Sequence, residues 1–159
     1  MTKKLKVSEL TRESFKEFGQ ILSNEGISPD GGDENFGWYE KLGAFEGIDT
    51  ISLNILECKK RDMKIDKLEY HVETSEAIIP MGAEEIVVVT APAGDFDESK
   101  IKAFLLDGTK GIMFNKGVRH FIPYPVYKDV NCVVVFKHAT GANDLIFDQL
   151  SETYEIELS

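Results

Sequence analysis

Apolar residues Ile51, Leu53 and Ile55 alternate with polar Ser52 and Asn54. That period of two is the signature of a half-buried strand. From there to residue 136 the chain repeats the pattern or falls into short apolar runs: 65–71, 77–80, 86–90, 102–106, 112–114, 118–124 and 132–136. Leu145–Phe147 and Tyr154–Leu158 extend the series. Gly and Pro bound most of these runs, and the Asp107-Gly108 pair between 102–106 and 112–114 predicts a hairpin. Short strands recurring at intervals of about ten residues predict a sandwich or barrel, not alternating βα units.

One helix is expected, over residues 11–18. The Thr11 hydroxyl can accept from a free backbone N–H, Glu13 sits in the first turn, and Phe15, Phe18 and Leu22 form one apolar face. Gly19 would end it. Residues 23–37, with Pro29, Asp30, Gly31, Gly32, Asp33 and Phe36-Gly37, read as loop; Trp38 and Tyr39 beyond it are candidate pocket walls. No repeat, low-complexity tract or linker divides the chain, so residues 1–159 are expected to form one domain.

Charge narrows the function. Lys plus Arg number 18 and Asp plus Glu 28, a net charge of −10. Neither nucleic acid nor anionic lipid suits such a chain. No apolar run reaches the roughly 20 residues a spanning helix needs, and Met1-Thr-Lys-Lys-Leu-Lys6 lacks a signal-peptide core. Cys58 and Cys132 lie in apolar runs at no zinc-type spacing, as buried free thiols in a reducing cytoplasm would.

The candidate chemistry lies in two stretches. On a strand over 67–71, Glu69 and His71 point to one face and Tyr70 to the other. Glu76 heads the next apolar run, and His120 follows a possible tight turn at Gly117. The series resembles the two-part cupin motif: His-x-His, then Glu and Gly, followed by Pro-x-Gly-x-x-His. Glu69 stands for the first His, His71, Glu76 and Gly82 follow, and Asn115-x-Gly117-x-x-His120 forms the second half. The resemblance implies an all-β, double-stranded β-helix (jelly-roll) barrel, with the short helix on its outside and a polar site in its mouth.

Residues 66–138 further resemble the ureidoglycolate lyase family. Glu69-x-His71, Ala77-Ile-Ile-Pro80, Val87-Val-Val, Lys102-Ala-Phe104 and Gly117-Val118-x-His120 carry the resemblance, as does the opening stretch Leu10–Gly19. This chain departs from the family at Tyr70 (usually Arg), Glu76 (Gln), Phe114-Asn115 (Tyr-His), Arg119 (Trp) and Phe136-Lys137 (Asp-Arg). The resemblance implies cleavage of ureidoglycolate to glyoxylate and urea, with Glu69, His71 and His120 sharing acid and base work. Lys116 or Arg119 would clamp the substrate carboxylate, and Asn115 and Tyr124 would complete its binding.

Glu76 adds a second expectation. Two carboxylates and two imidazoles, from Glu69, His71, Glu76 and His120, make a shell for Mn, Fe, Ni or Zn. No organic cofactor is expected. The alternatives are a metal-dependent cupin isomerase or oxygenase, and a non-catalytic small-molecule-binding cupin. A homodimer is expected, and His138 should lie on the surface.

Overall fold

A computed structural model describes residues 2–159. Its strands, in chain order, are β1 (Lys3–Glu9), β2 (Gly19–Leu22), β3 (Gly31–Gly32), β4 (Gly37–Trp38), β5 (Ile51–Cys58), β6 (Lys64–Tyr70) and β7 (Glu76–Pro80). They continue as β8 (Ile86–Ala91), β9 (Lys102–Leu106), β10 (Gly111–Phe114), β11 (Arg119–His120), β12 (Tyr124–Pro125), β13 (Val130–Lys137) and β14 (Ile146–Glu157). The helices are α1 (Arg12–Phe15) and α2 (Thr140–Asn143). The chain is thus nearly all β, as its alternation predicts.

Two sheets carry the fold. One runs β11-β6-β14-β1-β9-β8-β12, and β11 also pairs with β8, so six of its strands close into a barrel. The other runs β2-β10-β7-β13-β5. Alternation splits the core between them. Ile86, Val88, Phe104 and Leu106 face the five-stranded sheet and pack with Phe15, Phe18, Ile78, Ile112 and Phe114. Val87, Val89, Ala91 and Ala103 point the other way and pack with Leu5, Ile65, Leu68, Tyr124 and Tyr154.

Three expectations change. The helix ends at Phe15, one turn earlier than its apolar spacing suggests. Thr11 does cap it: its Oγ1 accepts from Ser14 N–H at 2.9 Å, and Ser14 Oγ accepts from Thr11 N–H in return. The chain then turns into β2 at Gly19, where a Cβ would lie 1.8 Å from the Met113 carbonyl oxygen; only glycine permits that approach. Second, β9 and β10 do not form a hairpin. β9 pairs with β8 and β1, while β10 pairs with β2 and β7. Asp107 turns the chain by accepting from Thr109 N–H at 2.9 Å, and the corner carries it between sheets. Third, the stretch expected as loop contains a small hairpin, β3 with β4, on which Trp38 is more than half exposed.

Candidate active site

Strand register sets the site. His120 on β11 lies opposite Glu69 on β6 and opposite Thr90 on β8. Glu76 lies opposite Phe114 across β7 and β10. Gly117, at φ 78°, makes the tight turn before β11, and its N–H donates to the His71 carbonyl at 2.7 Å. The ends of β6 and β11 are thereby tied, and His71 and His120 meet Glu76 between the sheets.

His71, Glu76 and His120 are all buried, and one ligand atom from each lies within 4.8 Å of the others. Glu76 Oε2 is 3.7 Å from His71 Nε2 and in close contact with His120 Nε2. Each imidazole is oriented from behind. His71 Nδ1–H donates to the Asp144 carbonyl at 2.6 Å, and His120 Nδ1–H donates to the Val118 carbonyl at 3.0 Å. Both Nε2 atoms therefore face the carboxylate. If both rings were neutral, three lone-pair atoms would point at one another, which is unfavourable away from water. A proton or a cation must lie among them.

The protein supplies one answer through charge. Burial works against the His120 cation, but the Glu76 and Glu69 carboxylates outweigh it and raise His120 to about 9. Burial likewise opposes ionisation of Glu76; the His120 and His71 charges overcome it and hold Glu76 at about 2. His71 is raised as well, its burial offset by Glu76. A second answer is a metal ion. Glu76 Oε2 and His120 Nε2 are buried without a hydrogen bond of proper geometry among the described residues. Two imidazole nitrogens and a carboxylate oxygen, aimed at one point and oriented from behind, suit a divalent ion. This buried group could hold one.

Glu69 is the half-buried neighbour. Burial raises its carboxyl, and the charges of His120, Glu76 and His71 all act on it. It faces the group without joining the three that converge as ligands, so the four-ligand shell reduces to three. The aromatic walls are Phe114, stacked on His120 at 4.7 Å between centroids, and Phe136, edge-on to His71 at 5.9 Å.

Neither Arg119 nor Tyr124 reaches this group. Arg119 adjoins His120 in β11 and so points to the opposite face. There it pairs with Asp148, donates to the carbonyls of Pro92 and Gly94, and lies over the rings of Tyr70 and Phe96. Tyr124 is buried in the second core; its hydroxyl donates to the Lys64 carbonyl at 2.8 Å and Arg61 covers its ring. Asn115 and Lys116 line a separate cleft of about 620 Å³ with Gln20, Lys41 and Ser75. His138 is exposed, as expected.

Asp144 is a participant that the sequence did not reveal. Its carboxylate accepts from Val72 N–H at 3.0 Å and Glu73 N–H at 2.8 Å, while its carbonyl holds His71. It lies 73 positions beyond His71, with no local pattern linking them. Asp144→Ala leaves two backbone donors short and should destabilise the fold by about 2–4 kcal/mol, read by urea denaturation.

Two stacked β-sheets, one of them closed on itself, with imidazoles and carboxylates gathered between them are the fold and site of a cupin. The dTDP-6-deoxy-D-glucose-3,5-epimerase of Legionella pneumophila shares this fold, with a TM-score of 0.50 at 16% identity over 89% of this chain and 80% of that one. A family model described as ureidoglycolate lyase matches residues 2–157. A ureidoglycolate lyase of Pseudomonas paraeruginosa is 31% identical over 87% of this chain and 86% of its own length. One from Burkholderia mallei is 30% identical over 89% and 86%. The chain belongs to the ureidoglycolate lyase family and is a lyase.

Proposed function

We propose that this enzyme cleaves ureidoglycolate to glyoxylate and urea at the face shared by Glu69, His71, Glu76 and His120. The observation that supports it best is the register that sets a base and an acid opposite each other on adjacent strands: Glu69, a carboxyl raised by burial, and His120, an imidazole held protonated by a buried carboxylate. Ureidoglycolate carries a hydroxyl, a urea nitrogen and a carboxylate on one carbon. Glu69 takes the hydroxyl proton, the C–O bond becomes the glyoxylate carbonyl and the C–N bond breaks. His120, protonated at Nε2, gives its proton to the departing nitrogen. The net proton transfer is from oxygen to nitrogen, with no change of oxidation state. Glu76 keeps His120 charged, and the Asp144 carbonyl keeps the His71 Nε2 turned inward. Stoichiometric release of urea and glyoxylate from ureidoglycolate tests the reading; a protein that releases neither is not this lyase.

A second reading rests on the two buried atoms without hydrogen bonds. His71, Glu76 and His120 would hold a divalent ion, which would acidify the substrate hydroxyl when bound. Glu69 remains the base in that case.

The expected working form is a homodimer in a reducing cytoplasm, where Cys58 and Cys132 stay free thiols. β5 is an edge strand, and its outward residues Ile51, Leu53 and Ile55 are 41%, 78% and 62% exposed. An exposed aliphatic edge invites pairing with a second copy. Leu53→Lys should convert the dimer to monomer in sedimentation, with urea release per chain changed by less than about threefold, since Leu53 lies on the face away from the site.

A further inference from the structure

The lyase reading needs a cation for the substrate carboxylate, and Arg119, consumed by Asp148 and two carbonyls, cannot serve. Alternation along β6 supplies another. Lys67 precedes Glu69 by two residues and His71 by four, so all three share the face turned from Leu68 and Tyr70. Register agrees: Phe147 of β14 lies opposite Glu69, and Lys67 Nζ is 5.2 Å from the Phe147 ring centroid and 5.7 Å from that of Phe121. Among the described residues no carboxylate lies within 4.0 Å of this ammonium. The two rings hold it without neutralising it. Its charge still reaches the Glu69 carboxyl.

Resting on that reading, we propose that Lys67 is the residue that binds the substrate carboxylate and so restricts the site to anionic substrates. Residues two apart on a strand are separated by about 7 Å, a span that one small molecule bridges. With its hydroxyl at Glu69, the carboxylate on the same carbon falls toward Lys67. Lys116, which lines the separate cleft with Gln20 and Asn115, has no such strand relation to the base.

The test measures binding of glyoxylate, the anionic product, by calorimetry to wild type, Lys67→Met and Lys67→Arg. Lys67→Met keeps most of the aliphatic stem at an exposed position, so the fold survives. Loss of one charge-assisted hydrogen bond should weaken glyoxylate about ten- to a hundredfold. Lys67→Arg should stay within about tenfold of wild type, and methyl glyoxylate, which lacks the charge, should bind wild type and Lys67→Met alike. The KM for ureidoglycolate should rise in parallel in Lys67→Met with kcat little changed, because the carboxylate is held equally before and during cleavage. Equal glyoxylate affinity in wild type and Lys67→Met, or no binding by wild type, overturns the assignment. Lys67-dependent binding of glyoxylate by a wild type that releases no urea supports the anion site and removes the lyase reading instead.

Discussion

His120→Ala and Glu69→Gln should each lower urea release from ureidoglycolate by about 10²–10⁴-fold, the usual worth of a positioned acid or base. The two substitutions fail differently. Glu69→Gln keeps the shape of a half-buried side chain and removes only its basicity, so thermal stability should hold while kcat falls. His120→Ala removes a ring stacked on Phe114 and leaves the Glu76 charge buried beside a void. Stability should therefore fall along with activity. The Glu69→Gln result carries the greater weight, since a misfolded site cannot explain it. Turnover by Glu69→Gln within tenfold of wild type would remove Glu69 as the base.

Much of this site was legible because a strand has period two. Glu69 and His71 share a face by that rule alone, and the spacing to Glu76 and His120 follows the cupin pattern. The same rule speaks against Arg119 beside His120: adjacent strand residues face opposite ways, and the structure puts Arg119 on the far side with Tyr70 and Asp148. Asp144 and Phe147 escaped because their relation to β6 is a matter of sheet register across more than 70 residues, which no local period encodes. Turn chemistry had a similar limit. Asp107-Gly108 marks a reversal, but the residues do not say whether the chain stays in one sheet or crosses to another. β1 was missed because three lysines, a serine and a glutamate fill most of it, and only Leu5 is buried. Its parallel pairing with β14 and β9 makes it a stave of the closed barrel all the same.

Glu76→Gln should abolish two properties together: the alkaline loss of stability in metal-free protein and the retention of added divalent metal. His120 titrates at about 9 in the fold against an ordinary 6.5. Its contribution to stability is complete below 6.5 and is lost as pH rises through 9. Glu76 titrates at about 2 against 4.5, so its contribution is complete above 4.5 and is lost as pH falls through 2. Wild-type protein in chelator should thus be most stable between about pH 4.5 and 6.5, with a falling limb on each side. Removing the Glu76 charge leaves burial in control of His120, which then sheds its proton at lower pH. The Glu76→Gln melting temperature should therefore lack the wild-type decline between pH 6.5 and 9, as thermal unfolding across that range would read. Metal follows the same protons, since an ion and a proton compete for His120 Nε2. Zinc or nickel affinity of wild type should rise across pH 6.5–9, and Glu76→Gln should retain neither after dialysis. A variant that keeps both the alkaline limb and the metal would show that Glu76 neither charges His120 nor ligates an ion.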